Sequence, residues 1–235
     1  MRKRVVYSLL VHLGCTSLLL AQDFRNLDFE DANVPDLPVN QSGWASVTDA
    51  LPSWTAYIGT NIQTSVAHNG VTLGNANVGV LGPDYLSPAF GPEIRALEGL
   101  YTAVLQDGGT PNQGAQPASI AQTGLIPSWA KSVQFEGTLQ LGGPTFKDNL
   151  AVMVGGQNEA IVPLGNNFYT CDVSAFAGLE EELRFTMVTN YGHALILLDA
   201  ITFSPTAIPE PSALCLLILG IAGLICWPRT RRRTT

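Results

Sequence analysis

Between Asp23 and Ala207 apolar and polar side chains alternate with a period of two, and no stretch of a dozen residues keeps the spacing of an amphipathic helix. Val133, Phe135, Gly137, Leu139 and Leu141 alternate with Gln134, Glu136, Thr138 and Gln140, as a strand with one dry and one wet face requires. Leu183, Phe185 and Met187 alternate with Arg184 and Thr186 in the same way. Further strands are expected over Arg25–Glu30, Trp54–Ile58, Gly99–Gln106, Ala118–Thr123, Asn149–Val154, Phe168–Asp172 and Ala194–Phe203. Turn residues separate them at Asn69-Gly70, Gly82-Pro83, Asp107-Gly108-Gly109, Gly142-Gly143-Pro144 and Gly155-Gly156. One helical turn is expected over Ser174–Leu179, capped by Asp172 or Ser174. Short strands joined by glycine-rich turns predict an all-β, antiparallel sandwich over residues 23–205, with no internal repeat and no dividing linker.

The ends read differently. Arg2, Lys3 and Arg4 precede an apolar run from Val5 to Leu20 and the small Ala21, the layout of a helical signal peptide over residues 1–21. Cleavage after Ala21 would leave Gln22 first, although Leu19 is bulky for its place. Leu13-Gly14-Cys15 leaves a lipoprotein signal open, and a permanent N-terminal anchor is the third alternative. At the other end Ala213–Trp227 runs fifteen residues without a charge. A helix of that length spans about 22 Å, short of a hydrocarbon core of about 30 Å. Such a transmembrane helix relies on Arg229, Arg231, Arg232 and Arg233 to reach the interface, and their charge marks the cytoplasmic side. The acidic middle is then outside.

Charge and cysteine usage narrow the middle further. Five basic residues face eighteen acidic ones between Asp23 and Ala207, a net charge of −13 that repels phosphate backbones and excludes nucleic acid as an expected partner. Cys171 is the single cysteine there, so no intramolecular disulfide supports the fold and the core must do so.

Pro209-Glu210-Pro211, Ser212-Ala213, the apolar helix and the arginine cluster, together residues 208–233, resemble the bacterial PEP-CTERM sorting signal. The resemblance implies recognition by a membrane-embedded exosortase, processing near Pro209, Glu210 and Pro211, and a place at the cell surface or in a biofilm matrix. Transport by the secretion machinery and transient membrane anchoring follow from it. A plain single-pass anchor with a proline-containing stem is the alternative. The strings NLDFED (Asn26–Asp31), LPSWTAY (Leu51–Tyr57), SIAQTGLIPSWAKSVQFEG (Ser119–Gly137) and LLDAITF (Leu197–Phe203) are similar to galactose-binding-like jelly rolls, carbohydrate-binding modules among them. That likeness implies a jelly-roll sandwich, with Glu30 and Asp199 in the places that hold a structural calcium ion in some members.

The chemistry beyond this is sparse. Among Trp44, Trp54, Tyr57, Tyr101, Trp129 and Tyr191, Trp54 and Tyr101 sit in strand patterns and read as core. Trp44 and Trp129 follow Gly43 and Pro127-Ser128 and are the candidates for stacking on a sugar face. His68 and His193 lie beside glycines in expected loops, and no Gly-x-Ser-x-Gly elbow, His-Glu-x-x-His pair or phosphate loop is present. The acidic residues leave a chance carboxylate pair open. The expectation is an exported, non-enzymatic surface or matrix protein; the alternative is a carbohydrate-binding module for exopolysaccharide or another glycan.

Overall fold

The computed structural model describes residues 22–38, 41–72, 74–83, 85, 95–109, 114, 116–141, 145–187 and 194–208. The signal segment, Gly142-Gly143-Pro144, Tyr191, His193, Pro209, Glu210, Pro211, the apolar tail and its arginines lie outside the described residues. Within them, the strands in chain order are β1 (Gly43–Ser46), β2 (Thr55–Ile58), β3 (Asn61–Ile62), β4 (Ser65–His68), β5 (Asn77–Leu81), β6 (Thr102–Gln106) and β7 (Ala118–Leu125). They continue with β8 (Ser132–Leu141), β9 (Leu150–Val154), β10 (Gln157–Glu159), β11 (Val162–Gly165), β12 (Phe168–Asp172), β13 (Glu180–Met187) and β14 (Leu195–Ser204). Two short helices, α1 (Val47–Ala50) and α2 (Phe146–Asn149), and a 3-10 turn over Ser174–Phe176 complete the described set.

Two sheets face each other, as the alternation predicts. One has eight strands in the order β1-β4-β5-β6-β14-β8-β12-β11, the other six in the order β10-β9-β13-β7-β2-β3. Val133 and Phe135 of β8 and Leu183, Phe185 and Met187 of β13 point into the space between them and are buried. Phe135 meets Phe185 edge-on at 5.3 Å, and Trp54 lies 6.3 Å from Phe185 while its indole N–H donates to the Asn26 carbonyl at 2.8 Å. Burying rings of this size is the main favourable contribution to the fold. The expected helical turn is a single 3-10 turn, whose Ser174 N–H donates to Asp172 Oδ1 at 2.7 Å.

Several features depart from expectation, among them Gly99–Tyr101, which precedes β6 instead of opening it. Arg25–Glu30 is a turn, with Asn26 at φ +49° and Phe29 at φ +59°. The Asn26 side chain closes it by accepting from Asp31 N–H and donating to the Pro52 carbonyl, a local arrangement that outcompetes strand pairing. Phe29 still faces the core, fully buried against Trp54. Secondly, β4 and β5 pair in parallel, whereas the other strand pairs among the described residues are antiparallel. Thirdly, β5 and β6 are buried at every position, because a second apolar cluster lies on the outer face of the larger sheet. There Val71, Tyr85 and Leu97 cover Leu81, Val104, Leu195 and Leu197. Val78 and Val80 of β5 face the main core, and Leu81 is its contribution to the second cluster.

Candidate functional site

Strand register brings four side chains into a row on that outer face. Asp199 of β14 pairs with Glu136 of β8, and Glu136 pairs with Phe168 of β12. On the other side of Asp199 stands Thr102 of β6, whose hydroxyl donates to Asp199 Oδ2. The ladder slips between Asp199 and Thr202, and Ala200 takes φ +48°, an uncommon conformation for a residue with a Cβ. Asp199 Oδ1 accepts from the Ala200 N–H at 2.8 Å and so holds the bulge closed.

A strap, residues 97–101, crosses beside this row, and several of its amides are answered by side chains. Leu97 N–H donates to Thr102 Oγ1 at 2.8 Å and Glu98 N–H to Asp199 Oδ2 at 3.2 Å. Leu100 and Tyr101 N–H both donate to Glu30 Oε1, at 2.8 and 2.9 Å. Gly99 makes this possible. It has φ +56°, and a Cβ there would stand 2.4 Å from Glu30 Oε1. Glu30 and Asp199, singled out in the sequence as a calcium pair, therefore grip the same strap from opposite ends of the chain.

The environment of Asp199 is acidic and dry. Burial pushes its carboxyl up to about 7, against the opposing pull of its hydrogen bonds from Thr102, Ala200 and Glu98. Burial and then the nearby Glu98 also raise Glu136. A hard cation would relieve both, and the carboxylate oxygens are the right kind of ligand. Among the described residues no three His, Cys, Asp or Glu side chains are grouped to hold a metal ion. A calcium ion held by Glu30 and Asp199 would take the rest of its six to eight oxygens from backbone carbonyls and water.

Next to the row opens a cleft of about 480 Å³, lined by Asp28, Leu97, Glu98, Glu136, Phe168 and Thr202 among others. Carboxylates that accept from hydroxyl groups beside a part-exposed ring are the chemistry of polyol recognition. Glu136 and Phe168 were visible in the sequence only as the wet position of one strand and the first residue of another. Their meeting depends on β8 and β12 being neighbours, which no local pattern records.

The two candidate sugar platforms do not meet. Trp44 is on the edge strand β1, 68% exposed, and Trp129 is in the turn before β8, 54% exposed. Five strand steps separate β1 from β8, roughly 24 Å along the sheet. Trp54 is core, and Tyr101 is half-buried against it. Tyr57, on the outer face of the smaller sheet, is covered by the Arg184 guanidinium 4.2 Å above its ring, and Arg184 is itself paired with Glu182 at 2.8 Å.

His68 is not in a loop: it ends β4 and is buried, and burial lowers its pKa while Asp36 acts in the opposite sense. Burial, with a smaller contribution from Glu159, pushes the Cys171 thiol up to about 12. β4 and β12 stand five places apart in the sheet, so these two residues form no nucleophile–base pair.

No family model and no curated protein sequence matches the chain. Among solved structures, a Stig cyclase, FisC from Fischerella sp. TAU in complex with (3Z)-3-(1-methyl-2-pyrrolidinylidene)-3H-indole, aligns at 15% identity and a TM-score of 0.42. The alignment covers 77% of this chain and 95% of the cyclase. The enzymatically active domain of tailspike protein 4 from bacteriophage CBA120 aligns at 18% identity and a TM-score of 0.32, over 65% of this chain and 19% of the tailspike. The chain thus spans about a fifth of the tailspike's length.

Proposed function

We propose that the protein is an exported cell-surface or extracellular-matrix component, without a catalytic role of its own, sorted through its C-terminal tail by an exosortase. The observation that carries this reading is the order of features after β14: Pro209-Glu210-Pro211, fifteen uncharged residues, then four arginines among the next six positions. An apolar stretch of about 22 Å is too short for a comfortable lasting span and suits a transient handle. The opening basic and apolar segment supports the same topology, with the acidic sandwich outside. Replacing Pro209, Glu210 and Pro211 by alanine tests it: full-length protein accumulates in the membrane fraction. A mature mass unaltered by the change would make the tail an ordinary anchor.

Glu30 and Asp199 hold a structural calcium ion in this account, supported by the dry, acidic setting of Asp199 and by the strap both residues grip. The second reading is glycan recognition, favoured by the exposure of the Trp44 and Trp129 rings. Because the rings are far apart, each would serve a separate contact. Loss of binding to exopolysaccharide in Trp44→Ala or Trp129→Ala supports this second reading, and absence of binding across a broad glycan array removes it.

A further inference from the structure

One end of the sandwich gathers both exits of the chain. There β7 finishes at Leu125, β8 begins at Ser132, β12 finishes at Asp172, β13 begins at Glu180 and β14 finishes at Ser204. Leu125 N–H donates to the Gln22 carbonyl at 2.8 Å, so the first described residue is at this end. Lys131 N–H donates to the Ser204 carbonyl at 2.8 Å and Ser132 Oγ to the Thr206 carbonyl at 2.8 Å, so the last described strand leaves here too. Two loops cap this end and are laced together: Ile126 N–H donates to the Leu179 carbonyl and Gly178 N–H to the Ile126 carbonyl, each at 2.9 Å. Their tips carry Trp129, 54% exposed, and Leu179, 48% exposed.

The length of chain beyond this end says what covers the tip. Seven residues lead from Thr206, pinned by Ser132, to Ala213, where the uncharged run begins. Fully extended they reach about 25 Å. A tail inserted in a bilayer therefore holds this end of the sandwich no farther than about 25 Å from the start of the uncharged run, which leaves Trp129 and Leu179 within reach of the surface. Trp side chains favour the headgroup region, where the ring is half dry and the indole N–H stays hydrated. Lys131 is outnumbered by Asp23, Asp172 and Glu180 around this end, so the contact suits a zwitterionic lipid surface and draws nothing from anionic lipid.

We propose that Trp129 and Leu179 form a membrane-seating tip that rests in the headgroup region of a zwitterionic phospholipid bilayer while the tail is inserted. The proposal rests on the reading that the tail enters the membrane. Full-length protein reconstituted into phosphatidylcholine vesicles, brominated on the acyl chains near the headgroup, tests both at once through tryptophan quenching. Trp54 is buried, and Trp44 lies level with Leu197, seven residues along β14 from Ser204, so neither reports on this end. Trp129→Phe leaves Trp227 to report tail insertion, and Trp227→Phe leaves Trp129 to report the tip. The expected result is quenching in both single variants and its loss in the double variant. Quenching in Trp129→Phe but none in Trp227→Phe overturns the tip while the tail reading stands. No quenching in either overturns both. An unquenched Trp227→Phe, together with glycan binding that disappears in Trp129→Ala, assigns the tip to a sugar instead.

Discussion

At Gly137 a methyl group has no room: a Cβ would lie 2.1 Å from Cζ of Phe146, a ring packed against Phe135 and Tyr169. Gly137→Ala is therefore expected to cost about 1–3 kcal/mol through forced displacement of the ring, read as a lower denaturation midpoint with an unchanged slope. Asp199 carries a second expectation. Its folded pKa is raised to about 7, above the ordinary aspartate value of 3.8, so the folded state binds the extra proton between those values. Stability in calcium-free buffer thus falls as pH rises from about 4 to about 7, and calcium restores it at neutral pH by answering the ionised carboxylate. Melting with pH, in excess EDTA and in calcium, checks this; identical curves in the two buffers would remove the calcium assignment. Cys171, fully buried with its thiol pushed up to about 12, should stay unmodified by a thiol reagent in native protein and react on unfolding, as peptide mass spectrometry reads.

The strap shows why a single small residue matters beyond its own contacts. Gly99→Ala adds a Cβ where the Glu30 carboxylate sits and asks alanine to hold φ +56°. A loss of about 1–3 kcal/mol is expected, with faster proteolysis at residues 97–101 than in the sheets. None of this grip was legible in the sequence, because Glu30 and Asp199 meet the strap from far along the chain in both directions. Strands with one wet face were legible: β12 has the bounds its residues predict, and β8 and β13 differ from theirs by a few positions. β5 is absent from the expected strands, although Val78 and Val80 alternate with Asn77 and Gly79, and the turn at Asn26 was not legible, since its side-chain hydrogen bonds break a pattern that reads as a strand. Of the candidate sugar contacts, the exposure of Trp44 and Trp129 followed from the glycine and proline before them; their separation followed only from strand order.

Taken together, the sandwich body separates two apolar ends of the sequence and gathers its own two exits at one tip. That geometry is compatible with the proposed role of a cargo domain carried on a tail, whose sorting signal lies outside the sandwich. The net charge of −13 between Asp23 and Ala207 works against binding to a phosphate backbone. The most direct measurement is the intact mass of the protein recovered from the surface of its native host. A chain beginning near Gln22 and ending close to Pro209-Glu210-Pro211 is the predicted result. A mature chain that still carries residues 213–235 would contradict it.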